Sequence, residues 1–210
     1  MSSGETFCAM RRFSLAGRAA KRIFDLAGAA MAILALSPLM LLVAILIRLD
    51  DSGPVLFRQK RYGYNRIPFH IYKFRTMRHG GDTGFRQAVR GDERITRIGR
   101  ILRRFNLDEL PQLFNVIAGD MSLVGPRPHP VELDDRFAPL IDNYSRRHGI
   151  KPGITGWAQV NGYRGETDTL AKMHSRISYD LHYLDNWSLW LDLRILLRTL
   201  VSATAYRNAF

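Results

Sequence analysis

The chain has 210 residues, with 31 Lys and Arg against 19 Asp and Glu, a formal net charge of +12. That length fits one domain with a sizeable core, nothing in it repeats, and the positive balance favours phosphate-rich partners: nucleic acid, anionic lipid or nucleotide. A single cysteine, Cys8, excludes a disulfide framework and a cysteine-rich zinc site and fits a reducing cytosolic face.

Residues 26–47 contain no charge. About 22 positions span roughly 33 Å as a straight helix, enough for a bilayer core. A signal peptide would have a shorter apolar region, and the RLDDSGP that follows is not a small-residue cleavage site. Arg11, Arg12, Arg18, Lys21 and Arg22 precede the run, while Arg48, Arg58, Lys60, Arg61 and Arg66 follow it. A straight span would leave one basic cluster outside in either orientation. Ser37 and Pro38 stand in the middle of the run. A helical proline loses a backbone hydrogen bond and clashes with the preceding turn, at a cost of about 3 kcal/mol that a neighbouring serine and water partly recover. We therefore read Ser37-Pro38 as the bend of a re-entrant helix-break-helix over 21–49 that enters and leaves one leaflet, with both clusters near anionic headgroups. A kinked span is the alternative. Residues 1–20 are then a basic tail, and 50–210 a cytoplasmic domain.

Short β-type runs at 55–59 and 69–74 are divided by Gly and Pro, with basic residues interleaved. The polar, glycine-rich stretch RHGGDTGFRQAVRGDE reads as a loop, and no P-loop or dinucleotide fingerprint is present. From Arg97 the pattern becomes helical. Ile98, Ile101, Leu102 and Phe105 share one face, while Arg97, Arg100, Arg103 and Arg104 crowd the other. Such a helix lies on a membrane surface or packs on a core with its cationic side in water. Leu110, Leu113, Phe114 and Ile117 form a second stripe, Gly119 supplies a stop, and Pro111 must lie in the first turn, so this helix is expected to begin close to Asp108.

That placement gives Asp108 and Glu109 two competing explanations. They cap and complement a helix start, worth about 0.5 to 2 kcal/mol. Alternatively, one carboxylate points at a substrate and the other holds a metal, with helix amides keeping Asp108 ionised. Arg127 sits between Pro126 and Pro128, whose rigid backbone suits a pre-placed fork for a diphosphate.

Four ordered segments, KFRTM, LRRFNLDELPQLFNVIAGDMSLVGPRP, KPGITGWAQVNGYRGETDTL and YDLHYLDNWSLWLDLRI, resemble the bacterial sugar transferase family, the monotopic polyprenyl-phosphate phosphoglycosyl transferases. The resemblance covers about residues 21–200. It implies a re-entrant helix bent at Ser37-Pro38 on the cytoplasmic leaflet of the bacterial inner membrane, and a mostly helical α+β fold with interfacial amphipathic helices around a small β element. It also implies transfer of a sugar 1-phosphate from a UDP-sugar to undecaprenyl phosphate, with release of UMP, as the first step of exopolysaccharide or capsule repeat-unit assembly. In that family the aspartate matching Asp108 is the nucleophile, and the glutamate matching Glu109 serves Mg²⁺ beside it. Arg103 and Arg127 fall where phosphates are held, with Lys73 and Arg75 as further candidates. NGYRGETDTLAKM is most similar to the glucose 1-phosphate branch, with galactose 1-phosphate next. The chain resembles the short, catalytic-core form, and a homo-oligomer is compatible with it.

At the carboxyl end, Leu170, Met173, Ile177, Leu181 and Leu184 form a helical stripe, followed by Trp187, Trp190 and an apolar helix carrying Arg194 and Arg198. This is an interfacial signature or a packed core helix. His174 and His182 read as surface or packed residues rather than metal ligands. A nucleic-acid binder is disfavoured, because no recognisable module interleaves aromatic and basic residues. A non-catalytic membrane adaptor would use the acidic pair only as a cap. An ordinary glycosyltransferase would carry a D-x-D metal motif, which Asp50-Asp51 is not.

Overall fold

The computed structural model describes residues 14–79, 91–165 and 169–201; Cys8, most of the basic tail and most of the glycine-rich loop lie outside them. Helix α1 (Leu15–Asp50) starts where Ser14 Oγ accepts the Gly17 amide at 3.0 Å. It is continuous through Ser37 and Pro38, so the expected break does not divide it. The local chemistry explains how. Pro38 cannot donate to the Leu34 carbonyl one turn back, and Ser37 Oγ donates to that same carbonyl at 2.9 Å.

One face of α1 is packed along its length. Asp25, Ala29, Met40, Val43 and Ile47 are buried, with Ala32, Ile33, Leu36 and Leu39 half-buried between them. The opposite face presents Ile23, Met31, Leu34, Leu41, Leu42 and Leu49 to the surroundings. Both ends grip the same body. Near the start, Lys21 Nζ reaches Asp192 at 2.8 Å, and Asp25 accepts from Ser122 Oγ and the Leu123 amide. Near the end, Met40, Val43 and Ile47 pack on Phe74 and Leu102.

Strands β1 (Leu56–Tyr62) and β2 (Pro68–Phe74) form an antiparallel hairpin pairing Leu56 with Phe74 and Tyr62 with Pro68. Phe57, Gln59 and Arg61 therefore share a face with Lys73, Ile71 and Phe69. Helix α2 (Arg97–Arg104) is capped by Thr96. Its expected single stripe splits: Ile98 and Leu102 face the core, while Ile101 and Phe105 are exposed.

Helix α3 (Gln112–Ala118) begins later than expected, after a separate 3₁₀ turn at Leu107–Glu109. Pro111, lacking an amide proton, needs no helical partner there. Leu113 and Val116 pack under Ala29 and Ile71, whereas Phe114 and Ile117 stay exposed. Asn115, fully buried, extends the edge of β2, accepting the Tyr72 amide at 3.0 Å and donating to the His70 carbonyl at 2.8 Å. Arg22 closes the end of α3, donating to the carbonyls of Val116 and Ile117.

Strand β3 (Ser122–Val124) pairs in parallel with β4 (Gly153–Thr155). A Cβ at Gly153 would meet the Gly125 amide nitrogen at 2.0 Å, so glycine alone allows this crossing. Between these strands lie α4 (Val131–Phe137) and a 3₁₀ segment at Tyr144–Gly149. After β4 come α5 (Trp157–Val160), α6 (Leu170–Asp185) and α7 (Leu189–Val201). Met173 and Ile177 of α6 join Leu133, Phe137, Ile141 and Tyr144 in one core cluster, as the stripe requires. Helix α7 buries Asp192 and Ile195 and exposes Trp190, Leu193, Leu197 and Leu200. It is thus packed on one side and apolar on the other. His182 stacks on Trp157, and His174 is exposed. The whole is the mostly helical α+β architecture expected.

Candidate active site

The acidic pair lies where the end of β2, the 3₁₀ turn, the Pro126–Pro128 turn and the loop after α5 converge. Asn106 adopts a left-handed conformation (φ 56°), which redirects the chain into the 3₁₀ turn and aims both carboxylates inward. Asp108 is 9% exposed and Glu109 6%. Neither is the α-helical cap that position in the sequence suggested.

Glu109 is surrounded by cations. Lys73 Nζ donates to Oε1 at 2.8 Å, and Arg127 forks onto both oxygens, with Nη1 3.1 Å from Oε2. Arg164 Nη2 donates to Oε2 at 3.1 Å. Burial alone would raise this carboxyl, but Arg127, Lys73 and Arg164 outweigh it and hold Glu109 well below the ordinary glutamate range. Asp108 is treated differently. Its nearest cation is Lys73 at 3.8 Å, and it accepts no side-chain hydrogen bond from the described residues. Desolvation dominates there and raises its pKa, with Glu109 adding to the rise against the pull of Lys73 and Arg103. Adjacent carboxylates are thereby pushed apart, one locked in charge and one protonating more readily.

Of the sequence candidates, Lys73, Arg103, Asp108, Glu109 and Arg127 come together. Arg103 Nε donates to Thr76 Oγ1 at 2.9 Å, and Asp108 is the first charge opposing its desolvation. Arg75 goes elsewhere. Its guanidinium binds the Asp51 carboxylate at 2.8 Å and the carbonyls of Asp51 and Ser52, tying the end of α1 to β2. Two residues of the cluster are not among the site residues that the sequence singles out. Arg164 sits in a turn with no periodicity to mark it. Arg61 donates to the Pro128 carbonyl at 2.9 Å, and its pKa is lowered to about 9 by burial and then by Arg127. The alternation of Phe57, Gln59 and Arg61 with outward Arg58 and Lys60 could have revealed it as inward-facing.

Lys73, Arg103, Arg127 and Arg164 oppose two carboxylates, so the cluster holds a surplus of positive charge. A buried cation surplus is costly until a polyanion enters, and three forked or pointed donors on one carboxylate can transfer to phosphate oxygens. Among the described residues no group of three or more His, Cys, Asp or Glu gathers. A divalent ion here would therefore rest on Asp108, Glu109 and a ligand's own oxygens. That donor set fits Mg²⁺, which commonly uses one or two carboxylates plus substrate phosphates. Phosphates drawing Lys73, Arg127 and Arg164 away would free Glu109 for it.

Fold and site together define a protein with a buried cationic cluster, built around a carboxylate pair and carried on one long apolar helix. The bacterial sugar transferase profile matches residues 16–205, and the chain belongs to that family. It is 50% identical over 91% of its length to a UDP-glucose:undecaprenyl-phosphate glucose-1-phosphate transferase of Xanthomonas campestris pv. campestris, covering 40% of that protein. It is 49% identical over 90% of its length to the exopolysaccharide production protein PSS of Rhizobium leguminosarum bv. phaseoli, covering 98% of it. With a UDP-N-acetylgalactosamine-undecaprenyl-phosphate N-acetylgalactosaminephosphotransferase of Aeromonas hydrophila it shares 46% identity over 86% of its length, covering 42% of that relative. The chain thus spans about two fifths of the first and last of these relatives and almost all of the second.

Proposed function

We propose that this chain transfers a sugar 1-phosphate, glucose 1-phosphate in the first instance, from a UDP-sugar to undecaprenyl phosphate in exopolysaccharide or capsule assembly. The observation that carries this reading is the asymmetry of the acidic pair: Glu109 saturated by three cations, Asp108 beside it with no side-chain hydrogen bond from the described residues. Asp108 Oδ attacks the phosphorus bearing the sugar, the bond to the bridging oxygen breaks, and UMP leaves with the electron pair. An oxygen of undecaprenyl phosphate then attacks the same phosphorus, and the Asp108 carboxylate departs. Lys73, Arg103, Arg127 and Arg164 hold phosphate oxygens through both transfers, and Arg127 does so as a fork. Asp108 and Glu109 would hold Mg²⁺, which when bound neutralises phosphate charge. Galactose 1-phosphate is the second donor, and the relative named for N-acetylgalactosamine adds a third to the panel.

We place the chain on the cytoplasmic face of the bacterial inner membrane, with α1 in one leaflet. Helix α1 is the one described helix long and apolar enough to cross a bilayer. Its two halves both pack on the body, which supports a one-leaflet arrangement over a span that separates its ends. The test is to supply membranes holding the chain with UDP-glucose, UDP-galactose and UDP-N-acetylgalactosamine and assay the nucleotide released. UMP is expected, dependent on undecaprenyl phosphate for turnover. UDP as product would replace this reading with an ordinary glycosyltransferase, and no nucleotide release with the adaptor.

A further inference from the structure

Behind the acidic pair lies a second set of buried charges that takes no part in the steps above. Arg147 and Arg176 are 3% and 4% exposed, and His129, Asp134 and Asp180 lie between them at 2% or less. Each guanidinium sends one arm to a backbone carbonyl. Arg147 Nη2 donates to the Arg127 carbonyl at 2.6 Å, and Arg176 Nη2 to the Gly165 carbonyl, next to Arg164, also at 2.6 Å. We infer that Arg147 and Arg176 are positioning residues, which set the aim of Arg127 and Arg164 by gripping the backbone that carries each of them. The inference rests on the functional reading given above.

The grip on the Arg127 turn extends over three consecutive carbonyls. Pro126 accepts from the Gly153 amide at 2.9 Å, Arg127 from Arg147, and Pro128 from Arg61 at 2.9 Å. A proline-flanked turn offers few amides of its own, so its placement depends on donors brought from other elements. Asp180 holds Arg147 through Nε and Nη2, at 3.1 and 2.9 Å. The His129 ring joins the two arms. Its Nδ1 lies 3.0 Å from both Tyr144 Oη and Arg147 Nη1, and its Nε2 lies 3.3 Å from Arg176 Nη1, while Tyr144 Oη donates to Asp134. Burial, then Arg147 and Arg176, hold this imidazole well below its usual pKa. Arg127 and Arg164 consequently meet Glu109 Oε2 at the same 3.1 Å from opposite loops. A buried ion cluster kept only for stability has no need to choose the carbonyl of Arg127 and the one next to Arg164.

The test is a double-mutant cycle on UDP-glucose affinity, measured by calorimetry on the whole chain in nanodiscs, with unfolding temperature recorded for every variant. Arg147→Lys keeps the charge beside Asp180 but cannot reach it and the Arg127 carbonyl together. Affinity should fall at least tenfold in Arg147→Lys and in Arg127→Lys, and the double variant should be no weaker than Arg127→Lys alone. The same pattern is expected for Arg176→Lys with Arg164→Lys, a second cycle that serves if Arg147→Lys does not fold. Losses that multiply in the double variants, or unfolding temperatures that drop while affinity stays at wild type, overturn the inference alone. Wild-type protein that binds no UDP-sugar overturns the functional reading and the inference with it.

Discussion

Replacing Glu109 with glutamine tests whether the cation cage is built for an anion that arrives from outside. The variant keeps the volume and one acceptor oxygen, but removes the charge that Lys73, Arg127 and Arg164 share. Hydrogen bonds to charged groups are worth about 1.5–3 kcal/mol each, and breaking a buried ion pair from one side costs about 3–5 kcal/mol. The cage retains Asp108 at 3.8 Å from Lys73 as a partial counter-charge, which places the loss near the lower bound, about 3 kcal/mol. For a chain of this size that is a fall of about 6–12 °C in unfolding temperature. Added UDP should then do more for the variant than for wild type, because its phosphates take over donors that have no carboxylate left. At one hundred times its dissociation constant a ligand adds about 2.7 kcal/mol of stability, enough to recover most of the deficit. The assay is thermal unfolding of both proteins across a UDP titration. An unchanged unfolding temperature without nucleotide, or equal UDP shifts in the two proteins, would refute the reasoning.

Asp108→Asn should unfold at or above the wild-type temperature at pH 7 yet hold no labelled sugar phosphate after incubation with UDP-glucose; label retained by it rules out Asp108 as nucleophile. The sign follows from its raised pKa: a carboxyl that binds protons more tightly when folded stabilises at low pH, and that contribution is lost as pH rises through the folded value. Arg75→Lys should lower stability by about 1–3 kcal/mol through its lost contacts to Asp51 and Ser52, with the Michaelis constant for UDP-glucose unchanged; a raised constant would return Arg75 to the phosphates. In intact spheroplasts Cys8 should resist an impermeant maleimide; labelling of the wild-type chain would end the one-leaflet topology.

Parity along β2 explains both a success and a failure of the sequence reading. Lys73 and Arg75 alternate correctly for one strand face, but the strand ends at Phe74, and Arg75, already out of register, turns to Asp51. The pairing of Asp108 with Glu109, and the rigid setting of Arg127, were legible because prolines and adjacent acids restrict local geometry. The exact start of α3 was not, since Pro111 tolerates a 3₁₀ turn before it as readily as a helix. Arg164 and the Arg147–Asp180 pair carry no local signal at all. Asp180 lies 33 positions from Arg147, and only the docking of α6 against the 3₁₀ segment brings them within hydrogen-bond reach.

The bond between Lys21 and Asp192, 171 positions apart, has a consequence for how the chain is made. Helix α1 is made before β3 and α7, yet the carboxylate closest to Lys21 and the hydrogen-bond donors to Asp25 come from those later elements. At roughly 5–20 residues per second the partner of Lys21 appears on the order of ten to thirty seconds later. During that interval Lys21 and Asp25, one helical turn apart and 3.9 Å from each other in the finished fold, have only each other, and Asp25 lacks its Ser122 and Leu123 donors. The closure of α7 onto Lys21 therefore comes after every other described element has been made, so the start of α1 is the last part of the described fold to gain its full set of partners.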